Sequence, residues 1–223
     1  VEGLVSLLEE RGVPLRCNAP VTQIRIENGR ACGVELQSGE FVPADIVVSN
    51  GDTAWTYKNL VAPEHRRVWT DRKIANGKYS MGLFVWYFGT SKQYKDVPHH
   101  MMVLGPRYKG LLQDIFNKHK LAEDFSLYLH RPTATDPSLA PDGCDTFYVL
   151  SPVPHLDSGT DWATQAAPYR AAIAEVLDRT VLPGFERHIS ASLITTPQDF
   201  HDRLLSFKGA AFGLEPLLLQ SAW

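Results

Sequence analysis

The sequence predicts a mixed α/β fold, and three observations support this fold class. Residues 1–52 read as a helix, three short strands and an apolar strand. Met81–Phe88 and Phe147–Leu150 are apolar, largely aromatic or branched runs, typical of strands buried on both faces. Amphipathic spacing then predicts helices within residues 110–119 and from about Pro168.

The first 52 residues predict one compact unit. Apolar positions in residues 4–8 share a helical face, and Gly12 is placed to end that helix. Asn28-Gly29 is a strong hairpin signal between strands at 21–26 and 31–36, and residues 41–42 add a short third strand. Residues 44–49 predict a buried strand, whose edges need partners that the first 50 residues do not supply. The composition shifts there, which suggests a nucleotide-fold piece followed by a sheet-plus-helix domain.

The pattern from 52 to 72 is helical but interrupted by Pro63. Residues 65–73 combine a basic face with Val68 and Trp69. Two interpretations remain open for this stretch, a contact with a membrane surface and an ordinary solvated helix end.

The remaining strands and helices follow in order. Residues 101–104, 125–130 and 189–195 predict strands, and a Pro-rich loop separates 125–130 from the strand at 147–150. Pro183-Gly184 ends the long helix, and Thr196 is expected to cap a short helix beginning at Pro197. The tail from 207 to 223 is Gly-rich and then apolar.

Composition limits the functions that the chain can have. With 223 residues, 44% of them hydrophobic, it can bury a sizeable core, and a net charge of −3 with dispersed cations argues against nucleic-acid binding. Three cysteines without a CxxC pair predict buried thiols in a reducing compartment. No membrane-spanning run or signal peptide is seen, so we expect a soluble or peripheral protein. The chain starts at Val1 in a helical pattern and ends on apolar sequence, as expected of an internal piece of a longer polypeptide.

No complete catalytic motif is present, such as a Gly-rich phosphate loop, HExxH or GxSxG. Regular strand or helix geometry would point His99 and His100 apart, and no histidines share metal-ligand spacing, so no metal site is expected. His130 and His155 follow the two central strands, where they could approach each other. Aromatic residues on the candidate strands either line a tunnel for a long apolar ligand or fill a core.

Several long segments match one known family in the same order: NAPVTQIRIENGRACGVEL, ADIVVSNGD, LFVWYFGT, LGPRYKGLLQDIF, LAEDFSLYLHRPTATDPSLAPDGCDTFYVLSPVPHL and GAAFGLEPLLLQSAW. On these segments the chain resembles the bacterial phytoene desaturases, flavin-dependent enzymes that convert phytoene stepwise to lycopene. The family's Gly-rich dinucleotide-binding unit and its Gly-rich closing segment have no counterpart here. The chain is therefore similar to the middle and later part of the family's sequence, and by itself is expected to be inactive.

The resemblance implies a domain organisation and a cofactor. Residues 1–52 would be part of a glutathione-reductase-like FAD/NAD(P)-binding domain, 53–206 a mixed-sheet-plus-helices substrate domain, and 207–223 a return segment toward the FAD domain. Val21 matches a position whose backbone meets the FAD adenine in related flavoproteins. Asn50 and Asp52 follow the apolar strand, where such sheets place ligands, and capping of a turn is the equally good alternative.

The resemblance also implies dehydrogenation of phytoene, with a hydride passing to the flavin and a proton leaving the neighbouring carbon. Phytoene has no polar handle, so an apolar channel would recognise its shape. The expected channel residues are aromatic: Phe84, Trp86, Phe125, Tyr128 and Phe147. No catalytic residue is assigned, and a cytoplasmic, peripherally membrane-associated protein is expected, with neither metal nor nucleic acid as partner.

Two other functions remain open. The chain could belong to another flavoprotein of the same fold, such as an amine oxidase or protoporphyrinogen oxidase, which would need polar groups for a polar substrate. It could also be a non-catalytic lipid-binding or membrane-binding module, which predicts liposome binding through Arg66, Arg67 and Trp69.

Overall fold

The computed structural model describes residues 1–221, so Ala222 and Trp223, the end of the predicted return segment, lie outside the described residues. The chain forms two compact units, Val1–Asn76 and Gly77–Trp223. The functional domains expected at 1–52, 53–206 and 207–223 stay predictions.

The first unit contains three helices and a three-stranded antiparallel sheet in the order β1-β2-β3. Its elements are α1 (Glu2–Glu10), β1 (Val21–Glu27), β2 (Arg30–Leu36), β3 (Phe41–Pro43), α2 (Thr53–Leu60) and α3 (Asp71–Asn76).

The hairpin between β1 and β2 forms as the sequence predicts. Asn28 and Gly29 both have positive φ angles, 50° and 78°. Two-residue turns whose twist matches that of the flanking strands require this conformation. Asparagine and glycine tolerate this conformation better than other residues, so the turn fixes where the strands begin and end.

The predicted buried strand at 44–49 is wrong. These residues form no strand, and Ile46 and Val48 are 79% and 86% exposed. A strand requires a hydrogen-bonded neighbour. The Ala44 amide donates to the Cys32 carbonyl of β2 over 3.0 Å, but no strand among residues 1–221 pairs with residues 45–49. Its apolar composition alone could not reveal whether a neighbour was available.

The helical pattern predicted from 52 to 72 is broken at Pro63, as expected, and residues 66–70 form no helix. α2 ends at Leu60, a short 3-10 turn covers Pro63–His65, and α3 begins only at Asp71. The Arg66 side chain turns inward and its Nη1 donates to Asp71 Oδ1 over 2.7 Å. This ion pair and Pro63 both favour the break in the helix.

The second unit is a five-stranded sheet with helices. Its elements are β4 (Gly82–Thr90), β5 (His100–Val103), α4 (Tyr108–Phe116), β6 (Leu127–His130), β7 (Asp145–Val153), α5 (Trp162–Thr180), β8 (Ile189–Thr195), α6 (Pro197–Leu204) and α7 (Leu218–Ser221).

All neighbouring strands of this sheet are antiparallel, in the order β5-β6-β7-β4-β8. One face, which we call the closed face, packs against α5. Its fully buried side chains interlock with those of the helix and of the turn that follows it: Phe84, Trp86, Leu127, Leu129, Phe147, Val149, Ile173, Leu177, Leu182 and Phe185. This aromatic and branched core holds the sheet in place.

Two predicted elements of this unit are right in type but wrong in detail. β7 is not buried on both faces: its burial alternates residue by residue from Asp145 to Val153. α5 begins at Trp162, well before Pro168, because the Asp161 carboxylate accepts a hydrogen bond from the Ala163 amide over 3.0 Å. The helix therefore continues through a proline that costs about 3 kcal/mol, which the packing of Trp162 against Phe84 helps to offset.

A buried ion pair fastens the Pro-rich loop to the sheet. Arg131 Nε and Nη2 donate to the two Asp145 carboxylate oxygens over 2.9 and 3.0 Å, and Arg131 Nη1 donates to the Val97 carbonyl. The Thr133 hydroxyl and the Tyr94 amide donate to the same carboxylate, both over 2.7 Å. The carboxylate is thus fully surrounded by donors, as a buried charge requires.

The cysteines form no disulfide, but they are less buried than predicted. Cys17 is exposed, and Cys32 and Cys144 are half-buried. Across the described part of the chain, no helix combines the length and apolar character that crossing a lipid bilayer requires.

Candidate functional site

The second face of the five-stranded sheet, which we call the open face, is the candidate site. Side chains alternate along each strand, so residues adjacent to core positions point to this side. Tyr87 and Leu193 are 43% and 57% exposed, and Met102 is 64% exposed. Large apolar side chains in this number on one surface are typical of a binding site.

One row of residues crosses all five strands on the open face. The pairing register places His100 opposite His130, His130 opposite Tyr148, Tyr148 opposite Tyr87, and Tyr87 opposite Leu193. We call these five residues the cross-strand row. With strands about 4.8 Å apart, the row extends over roughly 19 Å.

The rings of the cross-strand row contact one another. Ring centroids of Tyr87 and Tyr148 lie 5.7 Å apart, and those of Tyr148 and His130 lie 4.6 Å apart. Tyr128, one pleat along β6, adds a ring 5.7 Å from Tyr148 and 5.8 Å from His100. The result is a continuous surface of ring faces and edges with hydroxyls and imidazoles among them.

Two titratable groups of the row, Tyr148 and His130, have pKa values shifted toward their neutral forms. Burial, with Tyr128 next to it, raises the pKa of the Tyr148 hydroxyl to about 12. Burial first, then the neighbouring His99 and His100, lowers the pKa of His130. Both shifts disfavour charge on this part of the open face.

A cleft of about 350 Å³ runs beside the Tyr148–Tyr87–Leu193 part of the row. Its lining is mostly apolar and includes Tyr87, Gly89, Pro132, Tyr148 and Leu193. Its position beside the cross-strand row extends the surface that an apolar ligand can contact.

The predicted channel residues fall on both faces. Phe84, Trp86 and Phe147 lie on the closed face, fully buried among core side chains. Phe125 is half-buried against the same core, with its ring 5.6 Å from that of Tyr169. Only Tyr128 lies on the open face. A channel role for all five stays a prediction, and for the three fully buried residues we expect an indirect effect, through packing.

Sequence reasoning missed Tyr87, His100 and Leu193. The unbroken run Leu83–Phe88 concealed the alternation, since its closed-face and open-face residues are equally apolar. The Tyr hydroxyl was the one signal of the exposed side in these apolar runs. Tyr87 and Tyr148 each carry a polar hydroxyl group, which favours a position in contact with solvent.

Two expectations about histidines are wrong. His99 lies in a bend before β5, so its ring does not point away from that of His100, and their centroids are 4.3 Å apart. His130 and His155 do not contact each other. β6 and β7 are antiparallel, so their C-terminal ends lie at opposite ends of the strand pair. The His155 ring lies instead 4.8 Å from that of His119.

A second cavity of the Gly77–Trp223 unit, of about 420 Å³, is more polar. His119, His155, Lys78 and Lys208 contribute to its lining, and Lys208 Nζ donates to Asp157 Oδ2 over 2.7 Å. Burial lowers the pKa of His155. The charges of this cavity suit a polar ligand better than an apolar one.

The predicted cofactor residues lie in the first unit. Val21 is half-buried at the start of β1, and Asn50 is exposed at the end of the extended segment 44–50. The Asp52 carboxylate accepts a hydrogen bond from the Trp55 amide over 2.8 Å, so Asp52 caps α2. Asp52 thus has the capping role that was the alternative to cofactor binding, and its second carboxylate oxygen is not used in that bond.

Comparison with known proteins gives the chain a family context. No protein-family profile matches it. The chain is 49% identical, over its whole length, to a neurosporene-forming phytoene desaturase of Rhodobacter capsulatus, of which it covers 44%. It is 50% identical over 99% of its length to the corresponding protein of Cereibacter sphaeroides, covering 43%, and 43% identical over its whole length to a lycopene-forming phytoene desaturase of Paracoccus, covering 45%.

Solved structures show a similar fold. An oxidoreductase from Methanosarcina mazei superposes with a TM-score of 0.62 at 19% identity, over 87% of this chain and 41% of that one. A protein from Pyrococcus furiosus gives 0.53 at 15% identity, over 79% and 36%. These likenesses and the two antiparallel sheets with helices confirm the predicted mixed α/β class. Over its whole length the chain is similar in sequence to these bacterial phytoene desaturases, and it spans somewhat less than half the length of those relatives.

Proposed function

We propose that the chain is part of an FAD-dependent carotenoid desaturase that dehydrogenates phytoene stepwise toward lycopene. The single observation that supports this most is the 49% identity over the entire chain with a protein named a phytoene desaturase. The proposal places the substrate on the open face of the sheet.

The open face has the chemistry that such a substrate requires. A long hydrocarbon without polar groups gains affinity only from apolar contact and shape, so its site needs a wide surface without charges. The Tyr148–Tyr87–Leu193 part of the cross-strand row, together with the cleft beside it, offers an apolar surface over roughly 10 Å. Because the pKa of Tyr148 is about 12, its hydroxyl stays neutral at physiological pH.

The first unit fits a cofactor-facing role. Asn50 and the half-buried Val21 are accessible, and the exposed Ile46 and Val48 give the extended segment an apolar surface suited to a covering layer. In the proposed enzyme the Val21 backbone, the Asn50 amide and the Asp52 carboxylate would contact FAD. When bound, the flavin supplies the oxidising power, accepting a hydride from the substrate. The residues of the open face orient the hydrocarbon and exclude water from it.

The test is the product profile of the complete desaturase that contains this chain, expressed in a host that makes phytoene. Leu193→Ala and Tyr87→Ala remove contact surface from the open face, so we expect pigments with a changed number of double bonds. Leu204→Ala is the matched control, because Leu204 is similarly exposed, at 62%, in α6. Chromatography of the extracted pigments measures the outcome, and unchanged profiles in stably folded open-face variants would contradict the assignment.

The lipid-binding alternative has less support in the geometry of residues 65–73. Arg66 is buried in its pair with Asp71, and Trp69 stacks on Tyr57 with ring centroids 5.6 Å apart. Lys73 Nζ lies 4.5 Å from the Trp69 ring centre. The residues expected to contact lipid are thus mostly engaged within the unit. Peripheral membrane association in the cytoplasm remains part of the proposal for the complete enzyme.

A further inference from the structure

Three histidines converge at the β5–β6 edge of the sheet. His99 lies in the bend before β5, His100 begins β5, and His130 ends β6 opposite His100. The Arg131 amide donates to the His99 carbonyl over 2.9 Å and holds the bend against β6. One ring nitrogen from each histidine lies within 4.8 Å of those of the other two.

The Nδ1 atoms of His99 and His100 each form a hydrogen bond with a hydroxyl group. His99 Nδ1 lies 2.5 Å from the Thr135 hydroxyl oxygen, and His100 Nδ1 lies 2.5 Å from the Tyr128 hydroxyl oxygen. In metal sites, a ligating histidine characteristically donates its second ring N–H to an oxygen, which fixes the tautomer and the ring orientation. The same arrangement here leaves the Nε2 atoms of His99 and His100 as the available ligand atoms.

The third histidine is incompletely satisfied by the protein. His130 Nε2 lies 2.7 Å from His99 Nε2, a contact that needs a proton on one of the two nitrogens. His130 Nδ1 is buried and has no hydrogen-bond partner. Either tautomer of His130 therefore leaves one buried ring nitrogen unpaired, which costs free energy. A cation between the two Nε2 atoms would replace the shared proton, and His130 would keep its remaining N–H on Nδ1.

We propose that His99, His100 and His130 form a binding site for a divalent first-row transition metal ion of the zinc type. Imidazole nitrogens favour Zn²⁺, Ni²⁺ and Cu²⁺, and the cluster contains no carboxylate of the kind that Mg²⁺ and Ca²⁺ require. Tetrahedral coordination with Zn–N bonds near 2.05 Å separates ligand nitrogens by about 3.3 Å. The His99–His130 contact of 2.7 Å must therefore widen by about 0.6 Å, and nitrogens of the cluster that lie up to 4.8 Å apart must move closer, which side-chain rotation can supply. Three protein ligands leave a fourth position for water.

The bound ion would cross-link two segments of the sheet edge. It would join the bend before β5 to the end of β6, and through Thr135 to the loop that follows β6. β5 is an edge strand of only four residues, so a cross-link at its first residue restrains the part of the sheet with fewest backbone partners. The inference does not depend on the proposed desaturase activity.

The test is metal binding by the tag-free 223-residue chain after chelation. Isothermal titration with Zn²⁺ is expected to give one site, and the visible absorption of bound Co²⁺ to show tetrahedral nitrogen coordination. His100→Gln and His130→Gln should each weaken binding by at least about tenfold, and Thr135→Val, which removes only the hydroxyl, by about tenfold. Zn²⁺ should raise the melting temperature of the unsubstituted chain and not that of His130→Gln.

His65→Gln is the matched control, because His65 is exposed in the other unit, and it should bind Zn²⁺ as the unsubstituted chain does. His100 is exposed, so His100→Gln should fold normally, which its metal-free melting curve will verify. The proposal is overturned if the chain binds no Zn²⁺, if folded His100→Gln retains full affinity, or if His65→Gln weakens binding as much as the cluster variants do.

Discussion

The closed and open faces of the five-stranded sheet are built from alternate residues of the same strands, yet they carry different tasks. Trp86 is fully buried under α5, while Tyr87, the next residue, is 43% exposed on the open face. On the closed face the aromatic rings have core neighbours on every side. On the open face the rings contact one another and solvent. Aromatic content by itself therefore does not distinguish a core position from an exposed one, and the side of the strand decides it only near Tyr87, since Leu83 and Val85 are buried on the same side as Tyr87.

Buried polar atoms do not follow the same division. On the closed face the Arg131–Asp145 pair and the contact of Ser151 Oγ with the Tyr169 hydroxyl at 2.7 Å are satisfied inside the protein, but the Tyr94 hydroxyl and Trp162 Nε1 are buried without a partner. On the open face His130 Nδ1 is likewise buried without a partner. An unpaired buried polar atom by itself therefore does not mark a face as a ligand site.

The largest expected effect is the loss of a closed-face ring. Trp86→Ala should lower the free energy of unfolding by about 3–5 kcal/mol, since it leaves a cavity and removes the indole donor to Ser192 Oγ. Tyr87→Ala, on the opposite side of the same strand, should cost no more than about 1 kcal/mol. Urea denaturation of both variants measures the difference, and equal losses would invalidate the distinction between the faces.

The next effect concerns the Asp145 carboxylate, which lies on the closed face at the first residue of β7. Asp145→Asn should cost about 3 kcal/mol, because it leaves the buried Arg131 guanidinium without its counter-charge. Asp96→Asn is the control, as Asp96 is exposed in the same unit. Denaturant midpoints that shift equally for the two variants would show that the buried pair has no special role.

A smaller effect is expected from one buried hydroxyl. Tyr169→Phe should cost about 1–2 kcal/mol, because Ser151 Oγ loses its partner inside the core. Burial also raises the pKa of Tyr169, whereas an unfolded tyrosine ionises near pH 10. Above about pH 10 the unfolded state therefore binds fewer protons than the folded state, and stability falls as pH rises.

Tyr169→Phe should flatten that alkaline decline, measured by denaturation between about pH 9 and 11. Tyr148→Phe is the open-face comparison. Its hydroxyl has a pKa of about 12, so it too stays protonated in the folded state over this range, and its loss should flatten the decline by nearly the same amount. An alkaline decline that Tyr169→Phe leaves unchanged would show that burial does not raise the pKa of Tyr169.

Local signals in the sequence predict most elements of this fold. Asn28-Gly29 specifies a hairpin through backbone conformation alone, and Thr196 with Asp199 forms a capping box within four residues. Such signals act over a few residues, so they can be interpreted without knowing the fold. The alternation at 127–130 is of the same kind.

The failures depend on partners distant in sequence. The segment 44–49 has strand composition but no neighbouring strand among the described residues. The continuous run of β4 shows which residues are apolar, whereas which of them face α5 follows only from the register with β7 and β8. The convergence of His99, His100 and His130 likewise needs the bend before β5 and the pairing of β5 with β6. Family resemblance suggested the proposed function, but strand pairing was needed to identify the open face as the surface proposed for it.

The smallest expected effect on stability is the most informative about function. Leu193→Ala removes a side chain that is 57% exposed on the open face, so the free energy of unfolding should change by less than about 0.5 kcal/mol. Leu129→Ala, the same change at a fully buried closed-face position, should cost about 2–5 kcal/mol. If Leu193 contacts substrate, its variant combines an almost unchanged denaturation curve with altered pigments in the complete enzyme. A large loss of stability in Leu193→Ala would instead mean that the Leu193 side chain supports the fold. The open face would then have a structural role at this position.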